Sequence, residues 1–200
     1  MPKFNYQNTS FIMSVPNVNY LPINNGIEVA FIGRSNAGKS SLLNKLTNQK
    51  NLARKSKKPG CTKLINLFKV VENKYLVDLP GYGYAKISRC NRINLQHVLL
   101  EYIRKKNNLI GLVLLLDIKY TLNNFDKRII KLARDKNISL LILLTKADKF
   151  NCYAQNIKLN IIRETLTNFI ENVQVEIISS FKNIGVDNVY QKLNIWFQNF

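Results

Sequence analysis

The apolar residues of this 200-residue chain follow two spacings, short continuous runs and helical repeats. Runs rich in Val, Ile and Leu predict strands near residues 28–32, 64–71, 75–78, 112–117, 140–144 and 175–178. Repeats of three and four residues predict helices near residues 39–47, 91–106, 125–136, 154–172 and 186–200. Strands that alternate with helices predict an α/β fold in three layers, with a mostly parallel six-stranded sheet between helices on both faces.

The first part of the chain, residues 1–25, shows neither spacing, and we predict an irregular N-terminal arm packed on the core. Residues 26–200 then form a single domain, because a chain of this length suits one full-sized core. The longest apolar stretch, around residues 112–116, is too short to span a bilayer, and the N-terminus has no charged-then-apolar signal segment. The three cysteines match no zinc spacing, so a reduced cytoplasm is the expected setting.

A glycine-rich segment carries the strongest chemical signal. Residues 33–40 read Gly-Arg-Ser-Asn-Ala-Gly-Lys-Ser, which matches the phosphate-loop motif G-x-x-x-x-G-K-[ST] between a strand and a helix. The backbone amides of such a loop converge on an anion, and the helix dipole reinforces them. We expect Lys39 to reach the outer phosphates and the Ser40 hydroxyl to bind Mg²⁺, which prefers oxygen ligands.

Two further motifs stand at the ends of later strands. Residues from Asp78 to Gly81 fit D-x-x-G, in which the carboxylate holds the metal through a water and the glycine amide meets the γ-phosphate, although Asp and Gly are also common turn residues. Residues from Thr145 to Asp148 fit T-K-x-D. The Asp148 carboxylate is suited to accept hydrogen bonds from N1–H and the 2-amino group of guanine, which adenine lacks, while the Lys146 stem covers the base. An ordinary helix N-cap would use the same residue types, so the order of the motifs matters.

Two weaker segments complete the set. Residues 175–180 form a strand that ends in small residues, which suits the presentation of a backbone amide to the guanine O6 atom. Residues 56–63 contain Pro and Gly and therefore form a loop. A Thr in such a loop, here Thr62, can bind Mg²⁺ while a γ-phosphate is present and release it after hydrolysis, although any loop can contain Thr.

Charge adds a class of partner. Lys and Arg number 30 against 12 Asp and Glu, a formal net charge of +18, which exceeds what solubility requires. The excess favours a polyanion, either nucleic acid or an acidic membrane face, and basic clusters lie at residues 54–58, 104–106 and 127–134. Exposed helices commonly carry Lys, and the abundance of Lys, Asn and Ile fits an AT-rich genome. The basic runs contain no aromatic-stacking RNA module, so RNA shape and backbone would be read rather than bases.

From about residue 11 to the C-terminus, the chain resembles the EngB (YihA, YsxC) family of bacterial GTPases. The resemblance rests on G-R-S-N-A-G-K-S-S-L-L-N, P-G-C-T-K-L-I-N, D-L-P-G-Y-G-Y-A, T-K-A-D-K and S-S-F-K-N-I-G, which begin at residues 33, 59, 78, 145 and 179. It implies the Ras-like P-loop GTPase fold, binding of GTP, GDP and Mg²⁺, and slow GTP hydrolysis. It also implies a role in assembly of the large ribosomal subunit and in normal cell division and septation.

The resemblance also implies roles for individual residues. It makes Ser40 and Thr62 the Mg²⁺ ligands, with Asp78 acting through a water, and it assigns catalysis to Lys39, Thr62 and Gly81. The residues that it places along the nucleotide are Gly33, Arg34, Ser35, Asn36, Ala37, Gly38, Lys39, Ser40, Ser41, Gly60, Cys61, Thr62, Lys63, Leu64, Asp78, Leu79, Pro80, Gly81, Thr145, Lys146, Ala147, Asp148, Ile178, Ser179 and Ser180.

Several positions qualify this picture. Family members usually carry Arg where this chain has Cys61, so a positive charge beside the switch is lost. Thr145 stands where most GTPases have Asn, although Thr is usual in this family, and guanine affinity should therefore depend more on Asp148. Tyr82 occupies the place of the Gln that orients water in Ras-like enzymes, so turnover should be slow without a partner or an ion. In related GTPases an Asn at the position of Asn36 helps to bind K⁺, which makes K⁺ a candidate.

The resulting hypothesis is a cytoplasmic, monomeric GTPase that times ribosome assembly and contacts the large subunit or rRNA through a basic surface. GTP with Mg²⁺ would order Thr62 and Gly81, and hydrolysis would release them. Two alternatives stay open. One is a nucleotide-gated binding module with negligible hydrolysis, and the other is a small-molecule kinase, against which Asp148 argues. Whether a role in septation is direct also stays open.

Overall fold

Seven strands and five α-helices are found in the described residues, which are 4–22, 26–53, 64–84, 88–167, 170 and 173–199 of the computed structural model. The strands are β1 Ser10–Val15, β2 Ile27–Gly33, β3 Ile65–Val71, β4 Lys74–Asp78, β5 Leu109–Asp117, β6 Ser139–Thr145 and β7 Gln174–Ile177. The helices are α1 Lys39–Leu46, α2 Arg89–Lys105, α3 Asn124–Asp135, α4 Cys152–Thr167 and α5 Val186–Gln198.

All seven strands belong to one sheet with the order β1-β3-β4-β2-β5-β6-β7. Neighbouring strands from β4 to β7 pair in parallel, whereas β3 pairs antiparallel with β4 and with β1. The predicted α/β class and mostly parallel sheet are confirmed, but the predicted number of six strands is wrong.

The additional strand is β1, which comes from the segment predicted as an irregular arm. It forms the edge of the sheet beside β3, with Val15 opposite Ile65. Phe11 and Ile12 are 54% and 38% exposed. An edge strand that buries so little of its apolar surface has no clear alternation of apolar and polar residues, which explains why the sequence did not reveal it. The division into an arm and one domain stays a prediction.

Apolar side chains cover both faces of the sheet. Ile32 of β2 packs in the core under α2, α3 and α4, and its neighbour Phe31 packs in the core under α1 and α5. Continuous apolar runs are typical of parallel strands that are buried on both faces. At Gly111 of β5, a Cβ atom would lie 2.4 Å from the ring of Trp196, so α5 can approach the sheet closely only over a glycine.

The carboxyl ends of the parallel strands lie along one edge of the sheet. Gly33 ends β2, Asp78 ends β4, Asp117 ends β5 and Thr145 ends β6, and ligands of open α/β sheets bind at such an edge. The fold therefore brings the phosphate loop, D-x-x-G and T-K-x-D together. None of the helices in the described ranges is long and apolar enough to cross a membrane.

Two buried tyrosines donate hydrogen bonds to carboxylates inside the protein. The Tyr82 hydroxyl donates to Asp126 Oδ1 at 2.5 Å, and the Tyr102 hydroxyl donates to Glu28 Oε2 at 2.6 Å. Burial, and then the negative charge of each carboxylate, raises the pKa of both phenols well above the usual value. Both tyrosines therefore hold their protons more tightly in the folded state than in the unfolded state.

We expect the free energy of unfolding to fall as the pH rises above about 10, where tyrosines of an unfolded chain ionise. The folded state keeps protons that the unfolded state loses, so each such tyrosine costs about 1.4 kcal/mol of stability per pH unit above this value. Urea unfolding between pH ~8 and pH ~11 measures the slope. Tyr82→Phe and Tyr102→Phe should each make it shallower, whereas Tyr153→Phe, at a tyrosine that is 77% exposed, should not. Equal slopes for all three variants would contradict this explanation.

Candidate nucleotide-binding site

The phosphate loop connects the end of β2 at Gly33 to the first residue of α1, Lys39. Two of its residues have a left-handed backbone, Asn36 with φ 64° and Gly38 with φ 90°. A Cβ atom on Gly38 would meet no other atom closer than 3.9 Å. The glycine is therefore required by its backbone angle and not by a lack of space. This conformation turns the chain so that the N-terminus of α1 faces the loop, which is the arrangement that binds anions.

Lys39 and Asp78 form a buried ion pair at this edge of the sheet. The Lys39 ammonium donates to Asp78 Oδ1, and the two side chains are only 10% and 6% exposed. Asn66 Nδ2 of β3 donates to the other carboxylate oxygen of Asp78 at 3.5 Å. The structure therefore joins the lysine of the phosphate loop directly to the aspartate of D-x-x-G. Removal of either side chain would leave the charge of the other buried and uncompensated, so the stability of this pair depends on both partners.

The D-x-x-G segment runs alongside the phosphate loop. The Ser35 amide donates to the Tyr82 carbonyl at 2.7 Å, and the Tyr82 amide donates to the Gly33 carbonyl at 3.3 Å. The Ser35 hydroxyl also donates to the Gly81 carbonyl at 3.3 Å, and a Cβ atom on Gly81 would lie 3.2 Å from Ser35 Cα. These contacts place Gly81 directly against the phosphate loop, and its role at the γ-phosphate stays a prediction.

The side chain of Tyr82 turns away from the loop and into the core. It is 1% exposed, its ring packs against the Phe125 ring in a T-shaped contact at 4.8 Å, and its hydroxyl binds Asp126. Asp126 also accepts from the Asn123 amide in the capping box of α3. Burial is the main cause that raises the pKa of Asp126. This contact was not predicted from the sequence, where its signal is the Asn-x-x-Asp pattern at residues 123–126.

The first residue of T-K-x-D links the base motif to the phosphate loop. Thr145 is 4% exposed, and its hydroxyl lies 2.7 Å from the Ala37 carbonyl and 3.2 Å from the Leu116 carbonyl. A hydroxyl has one proton to donate, and the shorter contact indicates that Ala37 is its main acceptor. Thr145 therefore fixes the phosphate loop against β6.

The lysine of the same motif is held by an acidic residue, Asp117, that belongs to none of the predicted motifs. Lys146 has φ 61°, and its ammonium donates to Asp117 Oδ2 at 2.8 Å. Asp117 Oδ1 also accepts from the Lys119 amide at 3.2 Å. The signal for Asp117 was its position as the first charged residue after the apolar run of β5, at the same edge of the sheet as Asp78.

The proposed base-reading residue, Asp148, is positioned by the segment after β7. The Ser179 hydroxyl donates to Asp148 Oδ1 at 2.5 Å, and the Ala147 amide donates to the Ile178 carbonyl at 3.2 Å. Ser179 and Ile184 exchange two backbone hydrogen bonds of 3.0 Å, which close the turn between them. The two segments expected to recognise guanine are therefore in direct contact.

The remaining predicted residues are distributed as follows. Ser40 and Ser41 lie in the first turn of α1, Leu79 and Pro80 follow β4, and Ser180 follows Ser179. Gly60, Cys61, Thr62 and Lys63 lie outside the described residues, so their predicted roles stay predictions. Leu64 is described and is 41% exposed.

A pocket of about 290 Å³ opens beside the phosphate loop. Its lining includes Arg34, Asn36, Tyr84, Asp117, Tyr120 and Lys146. The pocket therefore combines side chains from the phosphate loop, from the segment after D-x-x-G and from T-K-x-D.

Oxygen atoms suited to Mg²⁺ are present next to the phosphate loop. The described ranges contain no group of three His, Cys, Asp or Glu residues that would bind a metal by themselves. Mg²⁺ in nucleotide sites commonly uses only one or two protein oxygens, together with waters and phosphates. The Ser40 hydroxyl and the Asp78 carboxylate fit that pattern.

Comparison with known proteins identifies the family from sequence and the fold from structure. A family profile described as 50S ribosome-binding GTPase matches residues 28–146. Proteins called probable GTP-binding protein EngB from Shigella boydii serotype 4 and Escherichia coli O139:H28 are each 54% identical over 197 residues, which cover 98% of this chain and 94% of theirs. The crystal structure of a probable GTP-binding protein engB aligns with a TM-score of 0.70 and 20% identity, and covers 86% of this chain and 100% of that one. At this level of identity the structural likeness supports the fold.

Proposed function

Because the chain belongs to the EngB family of GTP-binding proteins, we propose that it binds GTP with Mg²⁺, hydrolyses GTP slowly and acts as a switch in assembly of the large ribosomal subunit. The main supporting observation is the joining of the motifs at one edge of the sheet. Thr145 bonds to Ala37, Lys39 pairs with Asp78, and Ser179 bonds to Asp148. These contacts hold the segment proposed to bind the phosphates and the segment proposed to bind the base at a fixed distance from each other. A single nucleotide that occupies both sites requires such a fixed distance.

In this proposal each residue has a defined task. The loop amides and Lys39 hold the phosphates, the Gly81 amide meets the γ-phosphate, and the Asp148 carboxylate accepts hydrogen bonds from guanine. Ser40 and Thr62 supply hydroxyl ligands for Mg²⁺, and Asp78 binds it through a water. When bound, Mg²⁺ neutralises charge that develops on the phosphate oxygens.

Slow turnover is proposed because of the position of the Tyr82 side chain. The residue after D-x-x-G orients the attacking water in Ras-like enzymes. Here its polar atom is bonded to Asp126 in the core, so it supplies nothing to the phosphates. K⁺ bound with the help of Asn36, an exposed residue of the loop, would add the missing positive charge. A ribosomal partner could supply the same effect.

The proposed partner is the large ribosomal subunit, through rRNA. The supporting observations are the net charge of +18 and the description of the matching family as 50S ribosome-binding. We extend the proposal to a monomeric protein that works in the cytoplasm and is needed for normal division and septation. A direct role in septation requires a division defect that persists when ribosome assembly is intact.

The test is multiple-turnover GTP hydrolysis with and without 50S particles, in matched Na⁺ and K⁺ buffers. We expect slow basal hydrolysis and stimulation by 50S of at least about tenfold, a small part of what an added charge supplies in other GTPases. Ser40→Ala, which removes a proposed Mg²⁺ ligand, controls for contaminating activity. Binding to 50S that depends on GTP, without any stimulation, would favour the nucleotide-gated module. Equal rates in Na⁺ and K⁺ would remove K⁺ from the proposal.

A further inference from the structure

Two cations beside the phosphate loop share one aromatic ring. The Arg34 guanidinium lies 4.6 Å from the centre of the Tyr120 ring, and the Lys119 ammonium lies 4.7 Å from it. In the described part of the chain neither cation forms an ion pair with a carboxylate. Contact with the ring restrains both side chains without neutralising them. Burial raises the pKa of the Asp126 carboxyl, and the nearby charge of Arg34 offsets part of this rise. Neither cation has a direct carboxylate partner among the described residues, so both can bind an anion from outside.

The surrounding backbone fixes the position of this pair. The Tyr120 amide donates to the Asp117 carbonyl at 2.9 Å, and the Lys119 amide donates to the Asp117 carboxylate. Arg34 follows directly after β2. A Cβ atom on Gly83 would be in ordinary contact with Arg34 Nε, at 3.5 Å, so this segment lies directly beside the guanidinium. Cations on a tight turn and on the phosphate loop lose less freedom on binding than cations on a mobile surface.

The same residues line the pocket of about 290 Å³ beside the phosphate loop. Three cations, Arg34, Lys119 and Lys146, face one carboxylate, that of Asp117. Both oxygens of this carboxylate already accept hydrogen bonds, from Lys146 and from the Lys119 amide. Arg34 and Lys119 therefore give this side of the pocket an excess of positive charge. Their side chains match a phosphate group more closely than an apolar ligand.

We propose that Arg34 and Lys119, at the rim of the nucleotide pocket, form a second phosphate-binding site, which takes a backbone phosphate of RNA. This inference rests on the proposed ribosomal function and adds a location to it. Arg34 belongs to the phosphate loop, so RNA held there lies beside the nucleotide. A change of the bound nucleotide would therefore affect RNA binding at this site more directly than at a basic cluster at the far end of a helix.

The basic residues at the C-terminal ends of α2 and α3 differ from Arg34 and Lys119 in their partners. Lys136 donates to the Arg104 carbonyl at 2.5 Å, and Lys105 pairs with Glu101. Cations in the last turn of a helix stabilise the helix itself, by interaction with its dipole. These two helix-end lysines therefore already have polar partners within the protein, whereas Arg34 and Lys119 lie over the face of an aromatic ring and form no ion pair within the described ranges.

The test compares charge variants for binding to 50S particles and to deproteinised large-subunit rRNA, with GTP affinity measured on the same samples. Lys119→Glu should weaken RNA binding by about tenfold, and Lys119→Ala should lower the slope of log K against log salt by about one. Lys119 lines the same pocket as Lys146, so GTP affinity is measured for each variant, and it should change by less than RNA affinity does. Arg34→Gln should also weaken RNA binding, with a change in GTP affinity because it lies in the loop.

The matched control is Lys192→Glu. The Lys192 ammonium also lies over an aromatic ring, at 5.7 Å from the centre of the Trp196 ring. It belongs to α5, which packs on the face of the sheet opposite to α2, α3 and α4. Lys192→Glu should change RNA affinity by less than about twofold.

Equal losses of RNA affinity for Lys119→Glu and Lys192→Glu would overturn the site and leave only a general charge effect. Pyrophosphate bound through Lys119 in the presence of saturating GTP, without any effect on RNA, would overturn the RNA assignment. Failure of the parent protein to bind RNA or 50S would count against the proposed function as well.

Discussion

The Asp148→Asn protein is expected to bind GTP at least about 100-fold more weakly than the parent and to prefer xanthosine triphosphate. The loss corresponds to two charge-assisted hydrogen bonds at roughly 1.5–3 kcal/mol each. The structure indicates how the preference would reverse. The Ser179 hydroxyl donates to Asp148 Oδ1, and the carbonyl oxygen of an Asn can accept the same bond. Its amide group would then face the base and donate to the C2 carbonyl of xanthine, where guanine has an amino group.

Competition of GTP, GDP, ATP and xanthosine triphosphate for the purified protein, with and without Mg²⁺, measures this change. Ser179→Ala is the matched control, because it removes the positioning bond and keeps the carboxylate. It should weaken GTP binding by less than Asp148→Asn does, without raising the affinity for xanthosine triphosphate. Asp148 is an exposed residue, so the thermal stability of the nucleotide-free variant should stay close to that of the parent. Unchanged preference for guanine in Asp148→Asn would refute the assignment of the base site.

The second large effect concerns Lys39. Lys39→Ala should lower triphosphate affinity by about 100-fold or more, because a buried charged contact is lost. It should also destabilise the nucleotide-free protein by about 3–5 kcal/mol, since Asp78 would be left as a buried charge without its partner. The ion pair between the two side chains, 10% and 6% exposed, makes this second effect specific to the structure.

A double variant separates the two effects. Lys39→Ala combined with Asp78→Asn removes both charges and should recover most of the stability lost in Lys39→Ala. Its triphosphate affinity should stay low, because neither the ammonium nor the metal-directed carboxylate is restored. Urea unfolding and nucleotide titration on the same four proteins, including Asp78→Asn alone, complete the cycle. A double variant that stays as unstable as Lys39→Ala would show that the ion pair is not what stabilises this edge.

A large part of the site could be predicted because its residues stand at the ends of apolar runs. Gly33, Asp78 and Thr145 each end a strand, and parallel strands place their carboxyl ends together. Asp117 meets the same criterion but belongs to no familiar motif, and its contact with Lys146 appeared only in the structure. Edge strand β1 was not predicted because most of its side chains remain exposed. Its sequence therefore shows no alternation of apolar and polar residues.

The sequence by itself determined the α/β class, the order of the motifs along the chain and the side of the sheet on which they meet. These properties depend on periodicity and spacing over a few residues, which local backbone geometry dictates. The tertiary structure decided which side chains became partners: Thr145 with Ala37, 108 residues away, and Tyr82 with Asp126, 44 residues away. Such pairs depend on the order of strands in the sheet and on how the helices pack over it, and no local spacing encodes them.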